Sequence, residues 1–281
     1  MLRKILAVLL VLSYTSCFTS AFLRGLKHKY ALQKRLNSGV SRKTEGTKLY
    51  FKGRPLSPVT RVNRHDSIIL DCEVGGTPTP TIHWLKNGER LSQGEYRDFH
   101  DDEAAYEDRV GRKGKPLLRL SSTKSKLFID CLIPETEGTY SCIAETPYAR
   151  IERSSKVVID NEKYNSIESC LVKKSLEGES ARIYLWTSAR LEFEDATVQL
   201  YCRAEGKPQP KITWFDRNGK VITDEDEGYK VADNGDLIIK QISWMEHMGL
   251  WKCRAENANG VDTKETFLYP TARDEDDEFP L

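Results

Sequence analysis

The chain has 281 residues, of which 39% are apolar and 30% charged, and its formal net charge is only +1. That length admits one to three domains. The near-neutral balance excludes recognition of nucleic acid by a whole-molecule field.

The first predicted element is a secretory signal peptide over residues 1–21. Arg3 and Lys4 precede an unbroken apolar run from Ile5 to Leu12, and Thr19-Ser20-Ala21 supplies small residues for cleavage. The run ends at Ser13, short of the ~20 apolar residues that a membrane span needs. No later segment is apolar enough to span, and the acidic stretch Asp274–Glu278 is not a lipid-anchor signal. The expectation is a secreted, extracellular protein. Cleavage would also remove Cys17 and leave six of seven cysteines, the even number expected of a disulfide-bonded chain in an oxidising compartment.

Residues 22–54 form a predicted flexible basic arm, with Arg24, Lys27, Lys29, Lys34, Arg35, Arg42, Lys43, Lys48, Lys52 and Arg54 against Glu45 alone. It is either a solvated tail or a charge-based contact for heparan-type polysaccharide or an acidic membrane surface. Lys34-Arg35 is a candidate processing site.

The sequence then repeats itself. Ile68, Leu70, Cys72 and Val74 alternate along one strand, and Val198, Leu200, Cys202 and Ala204 alternate along another. Gly76-Thr77-Pro78-Thr79-Pro80 and Gly206-Lys207-Pro208-Gln209-Pro210 follow, placing proline at a corner where no ladder bond is required. Inward Trp84 and Trp214 come next at matching spacing, then the turn signals Asn87-Gly88 and Asn218-Gly219. Each copy closes on an aromatic two residues before a cysteine, Tyr140 before Cys142 and Trp251 before Cys253.

This Cys…Trp…Cys order resembles the immunoglobulin fold. The implied architecture is all-β: two tandem immunoglobulin-like β-sandwiches over 55–160 and 182–270. They are joined by an irregular polar linker over 161–181 and followed by an acidic tail over 271–281. The resemblance implies inter-sheet disulfides Cys72–Cys142 and Cys202–Cys253, with Trp84 and Trp214 packed on the sulfurs, and a tyrosine corner at Tyr140. Two departures put the corner's hydrogen bonds in question. Trp251 replaces the tyrosine in the second copy, and Thr136 and His247 stand where many such domains carry Asp. Ala255-Glu256-Asn257-Ala258-Asn259-Gly260 marks the second domain as intermediate-set. The first has a long insertion over roughly 92–116, read as a loop in preference to variable-type edge strands. The pattern leaves Cys131 and Cys170, expected to pair within the chain and limit the hinge, or else between chains in a covalent dimer.

No metal, cofactor or catalytic constellation is expected. His28, His65, His83, His100 and His247 show no ligand spacing, and no nucleophile elbow or phosphate-binding glycine loop is present. His100-Asp101-Asp102-Glu103 reads as a solvated acidic loop, and the chain carries no Asn-x-Ser/Thr sequon. The predicted activity is binding and not catalysis. Tyr184, Trp186 and Trp244 lie outside the core positions of the pattern and are the candidate partner-binding aromatics.

A closer resemblance rests on Ala232-Asp233-Asn234-Gly235-Asp236-Leu237-Ile238-Ile239, Ile242-Ser243-Trp244, Trp251-Lys252-Cys253 and Thr266-Phe267-Leu268-Tyr269-Pro270. These are similar to the secreted two-immunoglobulin-domain family that includes the insect ecdysone-inducible insulin-like-peptide-binding protein and the nematode zwei Ig domain proteins. The resemblance implies sequestration of an insulin-like peptide hormone. Its alternative is a neuronal ligand for cell-surface receptors that maintains axon or cell-body position.

Overall fold

The computed structural model describes residues 48–93, 120–164, 170, 172, 174, 176, 178–223 and 225–272. The signal peptide, most of the basic arm, all of the insertion from 94 onward and the acidic tail from 273 onward lie outside the described residues.

The first sandwich sets β1 (Lys48–Lys52), β3 (Ile68–Thr77) and β6 (Leu120–Ile129) on one side. Opposite lie β2 (Val59–Arg64), β8 (Ala149–Tyr164), β7 (Gly138–Thr146), β4 (Thr81–Lys86) and β5 (Glu89–Arg90), in that spatial order. The alternation at 68–74 does what period-2 patterning requires: Leu70, Cys72 and Val74 are buried while Asp71 faces out. Asn87 and Gly88 take φ of 51° and 88°, the left-handed pair that a tight hairpin between β4 and β5 needs. The arm is shorter than its charge implied. Leu49 and Phe51 pack against the first core, so Lys48–Lys52 pairs with β3 instead of remaining in solvent. Three consecutive hydrophobic residues, Leu49-Tyr50-Phe51, between lysines show no alternation that would reveal that strand.

The second sandwich contains β10 (Val198–Leu200), β15 (Leu237–Ile239) and β14 (Tyr229–Val231) in one sheet. The other holds β17 (Gly260–Thr271), β16 (Gly249–Asn257), β12 (Lys211–Phe215) and β13 (Val221–Ile222). Both core tryptophans are fully buried and satisfied. Trp84 Nε1 donates to Ser125 Oγ at 2.9 Å, and Trp214 Nε1 to the Gly235 carbonyl at 2.8 Å. Buried Asp236 accepts from the Cys202 N–H, from Gln199 Nε2 and from Arg203, whose Nη2 lies 2.8 Å away.

The two sandwiches are joined by one strand. β9 (Glu179–Phe193) pairs along one edge with β6, from Ser125↔Leu185 to Leu120↔Leu191. Along its other edge it pairs first with β11 (Cys202–Lys207), antiparallel, and then with β17, parallel. A continuous nine-stranded sheet results, in the order β1-β3-β6-β9-β17-β16-β12-β13 with β11 alongside β9. Neighbouring residues of β9 serve different cores: Leu185 packs in the first, Ile183 and Trp186 in the second.

Among its described residues, the expected irregular linker is structured. β8 runs on to Tyr164, Cys170, Val172, Lys174 and Leu176 are helical, and β9 starts at Glu179. Cys131 and Cys170 are bonded within the chain, with Cα atoms 5.8 Å apart. Beside them Arg182 joins Asp130 of the first sandwich (2.8 Å) to Glu205 of the second (2.8 Å), its guanidinium 4.4 Å from the Phe128 ring centroid. Lys174 adds contacts to Asp130 and Glu179. Burial pushes the Asp130 carboxyl up, but hydrogen bonds from Arg182 and Lys174 outweigh it and hold the group below the usual carboxylate range. At Glu205 burial wins, and its pKa is raised.

Candidate functional site

The two corners show why the fold tolerates the departures in the sequence. Tyr140 Oη donates to the Thr136 carbonyl at 2.7 Å, and Trp251 Nε1 donates to the His247 carbonyl at 2.9 Å. The indole N–H thus makes the bond, four residues back, that the missing hydroxyl was expected to forfeit. Thr136 and His247 also take over an acceptor's work. The Ile133 N–H donates to Thr136 Oγ1 at 3.1 Å, and the Ser243 N–H to His247 Nδ1 at 3.0 Å. The His247 ring stacks on Trp251, with centroids 6.0 Å apart and planes 7° apart, and its Nε2 lies 3.3 Å from the Tyr229 hydroxyl. Burial lowers the His247 pKa, so the ring is neutral at pH 7, and an Nδ1 that accepts leaves the proton on Nε2.

This corner supports a short helix, Trp244–His247, capped by Ser243, whose Oγ accepts from the Glu246 N–H. Arg217 pins it by donating to the Met245 and Met248 carbonyls. The helix carries Trp244 and Met245 into solvent, 39% and 76% exposed. Trp244 meets Tyr269 edge-on with centroids 5.1 Å apart, and Tyr269 adjoins Phe267. Phe267 stands across from Leu250 on β16 and from Ala189 on β9, and Tyr269 stands across from Leu191, itself opposite Leu120 on β6. The result is an apolar ridge crossing four strands and both sandwiches, with Phe267 39% and Leu250 53% exposed. At its β16 end a groove of about 620 Å³ begins, bordered by Phe215, Arg217, Leu250, Lys252, Arg254 and Glu265.

The candidate aromatics separate. Trp244 is on the ridge. Tyr184 and Trp186, only 7% and 8% exposed, pack in the first and second cores and offer no exposed anchor to a partner. β9 has a neighbour on each edge and a core on each side, and the one side of Trp186 not packed in a core is covered by the Lys264 side chain. Phe267, Leu250 and Tyr269 escaped sequence reasoning. The signal for Phe267 and Tyr269 is Thr266-Phe267-Leu268-Tyr269, where apolar side chains fall on both faces of a strand that buries Thr266, Leu268 and Pro270. The remaining predicted residues form disulfides Cys72–Cys142 and Cys202–Cys253, with Cα separations of 6.4 and 6.5 Å. Among the described residues no group of His, Cys, Asp and Glu side chains is gathered as a metal site.

The immunoglobulin-domain family pattern matches residues 54–146 and 184–257. Zwei Ig domain protein zig-4 of Caenorhabditis elegans is 33% identical over 204 residues, 73% of each chain. The chain belongs to the zwei Ig family. Neural/ectodermal development factor IMP-L2 of Drosophila melanogaster shares the zwei Ig plan at 30% identity, over 78% of this chain and 77% of that one. Its crystal structure aligns with a TM-score of 0.60 at 26% identity, covering 84% of this chain and all of the other. In this zwei Ig chain, no helix among the described residues is long and apolar enough to cross a membrane.

Proposed function

We propose that this zwei Ig protein is secreted and works by binding, sequestering an insulin-like peptide hormone on the apolar ridge. The ridge carries the reading. Monomeric proteins rarely leave contiguous aromatic and aliphatic side chains exposed across a sheet without a partner for them, and aromatic anchors dominate protein interfaces. Three disulfides suit an oxidising, extracellular setting, and the family resemblance supplies the class of ligand. Joining the sandwiches through β9 favours capture, because a preorganised surface loses less freedom on binding.

The test is calorimetry of the purified chain against insulin-like peptides of its own organism, repeated with Phe267→Ser and Leu250→Ser. Submicromolar binding that weakens at least ten-fold in both variants supports the reading; absence of binding across the peptide set removes it. The second reading, a neuronal ligand for cell-surface receptors, is favoured by the name of the neural/ectodermal development factor among the relatives. It predicts ridge-dependent binding to neuronal surfaces in place of peptide binding. The basic arm would add charge-based attachment to heparan-type polysaccharide.

A further inference from the structure

A second surface lies away from the ridge and is basic instead of apolar. The register of three strand pairs puts Lys52, Glu73, Lys124 and Trp186 in one row: Lys52↔Glu73, Glu73↔Lys124, Lys124↔Trp186. Directly opposed side chains share a face and sit about 5 Å apart. Lys264 reaches the row from β17, its Nζ 5.4 Å from the Trp186 ring centroid. Lys126, opposite Asp71, extends the cluster by one rung, and Arg54 follows β1. Together these residues line a groove of about 360 Å³ in which five Lys and Arg side chains face two carboxylates.

The carboxylates do not fill the groove's capacity for anions. Glu73 lies 3.3 Å from Lys124 and Asp71 lies 3.7 Å from Lys126, both part-exposed pairs of the kind that contribute little. Lys264 pairs with Asp262, which is not among the residues lining the groove. Lys52 and Arg54 also line the groove, and the sequence that runs into β1 is itself basic. Two residues before Lys52, on the same face of β1, Tyr50 is 43% exposed. Its ring lies so close over Gly75 that a Cβ there would stand 2.7 Å from Tyr50 Cζ. A flat aromatic surface therefore adjoins the cationic row.

We infer that this groove docks a sulfated polysaccharide, through the side chains of Lys52, Arg54, Lys124, Lys126 and Lys264, independently of the ridge. Spaced cations across successive strands suit a linear polyanion better than a single compact anion, and the recess suits a thread better than a membrane plane. A disulfide-bonded chain meets such polymers outside the cell.

The experiment measures binding of the full chain to immobilised heparin over a range of NaCl concentrations. The probes are wild type, a groove variant (K52Q/R54Q/K126Q) and an arm variant (K27Q/K29Q/K34Q/R35Q). The groove variant should bind at least ten-fold more weakly, with the slope of log affinity against log salt reduced by about two to three, roughly one counterion per cation removed. Adding the groove changes to the arm variant should weaken it by the same factor. Peptide binding at the ridge should not move, so the two proposals fail separately. K52Q/R54Q, confined to the surface at the end of β1, replaces the triple variant if the latter melts early. Wild-type affinity and slope in the folded groove variant would overturn the inference. So would equal binding of desulfated heparin, or a groove effect seen only on phosphatidylserine vesicles or poly-glutamate.

Discussion

At the scale of single residues, the second corner is the most exacting construction in the molecule. His247 presents its backbone carbonyl to the Trp251 indole and its ring nitrogen to the Ser243 N–H. Trp251→Phe keeps most of the packing but strands a buried carbonyl, and should cost about 1–3 kcal/mol in chemical denaturation. The corner is also pH-sensitive. Because burial lowers the His247 pKa, the unfolded chain binds the proton more readily than the folded one. Stability is complete above the ordinary value of about 6.5 and is lost as pH falls through the lowered one. Glu246 opposes this shift, and Arg217 reinforces it. Half-buried His83 has the same sign. Protonating Nδ1 removes the acceptor for Ser243 at the start of the Trp244–His247 helix, so acid should loosen the ridge there. Denaturation midpoints between pH 7.5 and 5 should fall less in His247→Asn than in wild type; an identical fall in both would place the sensitivity elsewhere.

At the scale of elements, β9 links two cores through neighbouring residues. Leu185 belongs by sequence to the second sandwich and by packing to the first. Leu185→Ala should cost about 2–5 kcal/mol, and hydrogen exchange should accelerate first in β3 and β6. The complementary substitution Ile183→Ala should accelerate exchange in β16 and β17 instead, because Ile183 packs in the second core. Exchange rising equally in both sandwiches for both variants would show that the two cores are not separable at this strand. Much of this arrangement was legible element by element. Alternation identified β3 and the strand entering Cys202, and Asn87-Gly88 identified the first hairpin. What could not be read was pairing: the exposed edge of β6 and that of β9 carry the same backbone donors and acceptors as any other edges, and no side-chain pattern marks them for one another.

At the scale of the whole molecule, the continuous sheet predicts cooperative behaviour. Calorimetry of the oxidised chain should show a single unfolding transition, in contrast to the two expected of sandwiches on a free linker. Replacing Cys131 and Cys170 by Ser should lower stability by about 2–4 kcal/mol while leaving that transition single, since the β6–β9 ladder and the Arg182 bridge remain. Two resolved transitions in the oxidised protein would mean that β9 does not couple the halves. Preorganisation at this scale matters to binding, because the ridge draws residues from β6, β9, β16 and β17 and exists as one surface only while both sandwiches share the sheet.

The sequence by itself determined two sandwiches, their tryptophan-centred cores and the inward face of the strands that enter Cys72 and Cys202, because those follow from local periodicity and side-chain burial. Only the tertiary structure decided which strand takes the free edge of β6. That pairing is made by backbone groups common to every residue. It turned Tyr184 and Trp186 inward, left Trp244, Leu250 and Phe267 as the exposed apolar ridge, and lined up Lys52, Lys124 and Lys264 along a groove that no single segment of the chain contains.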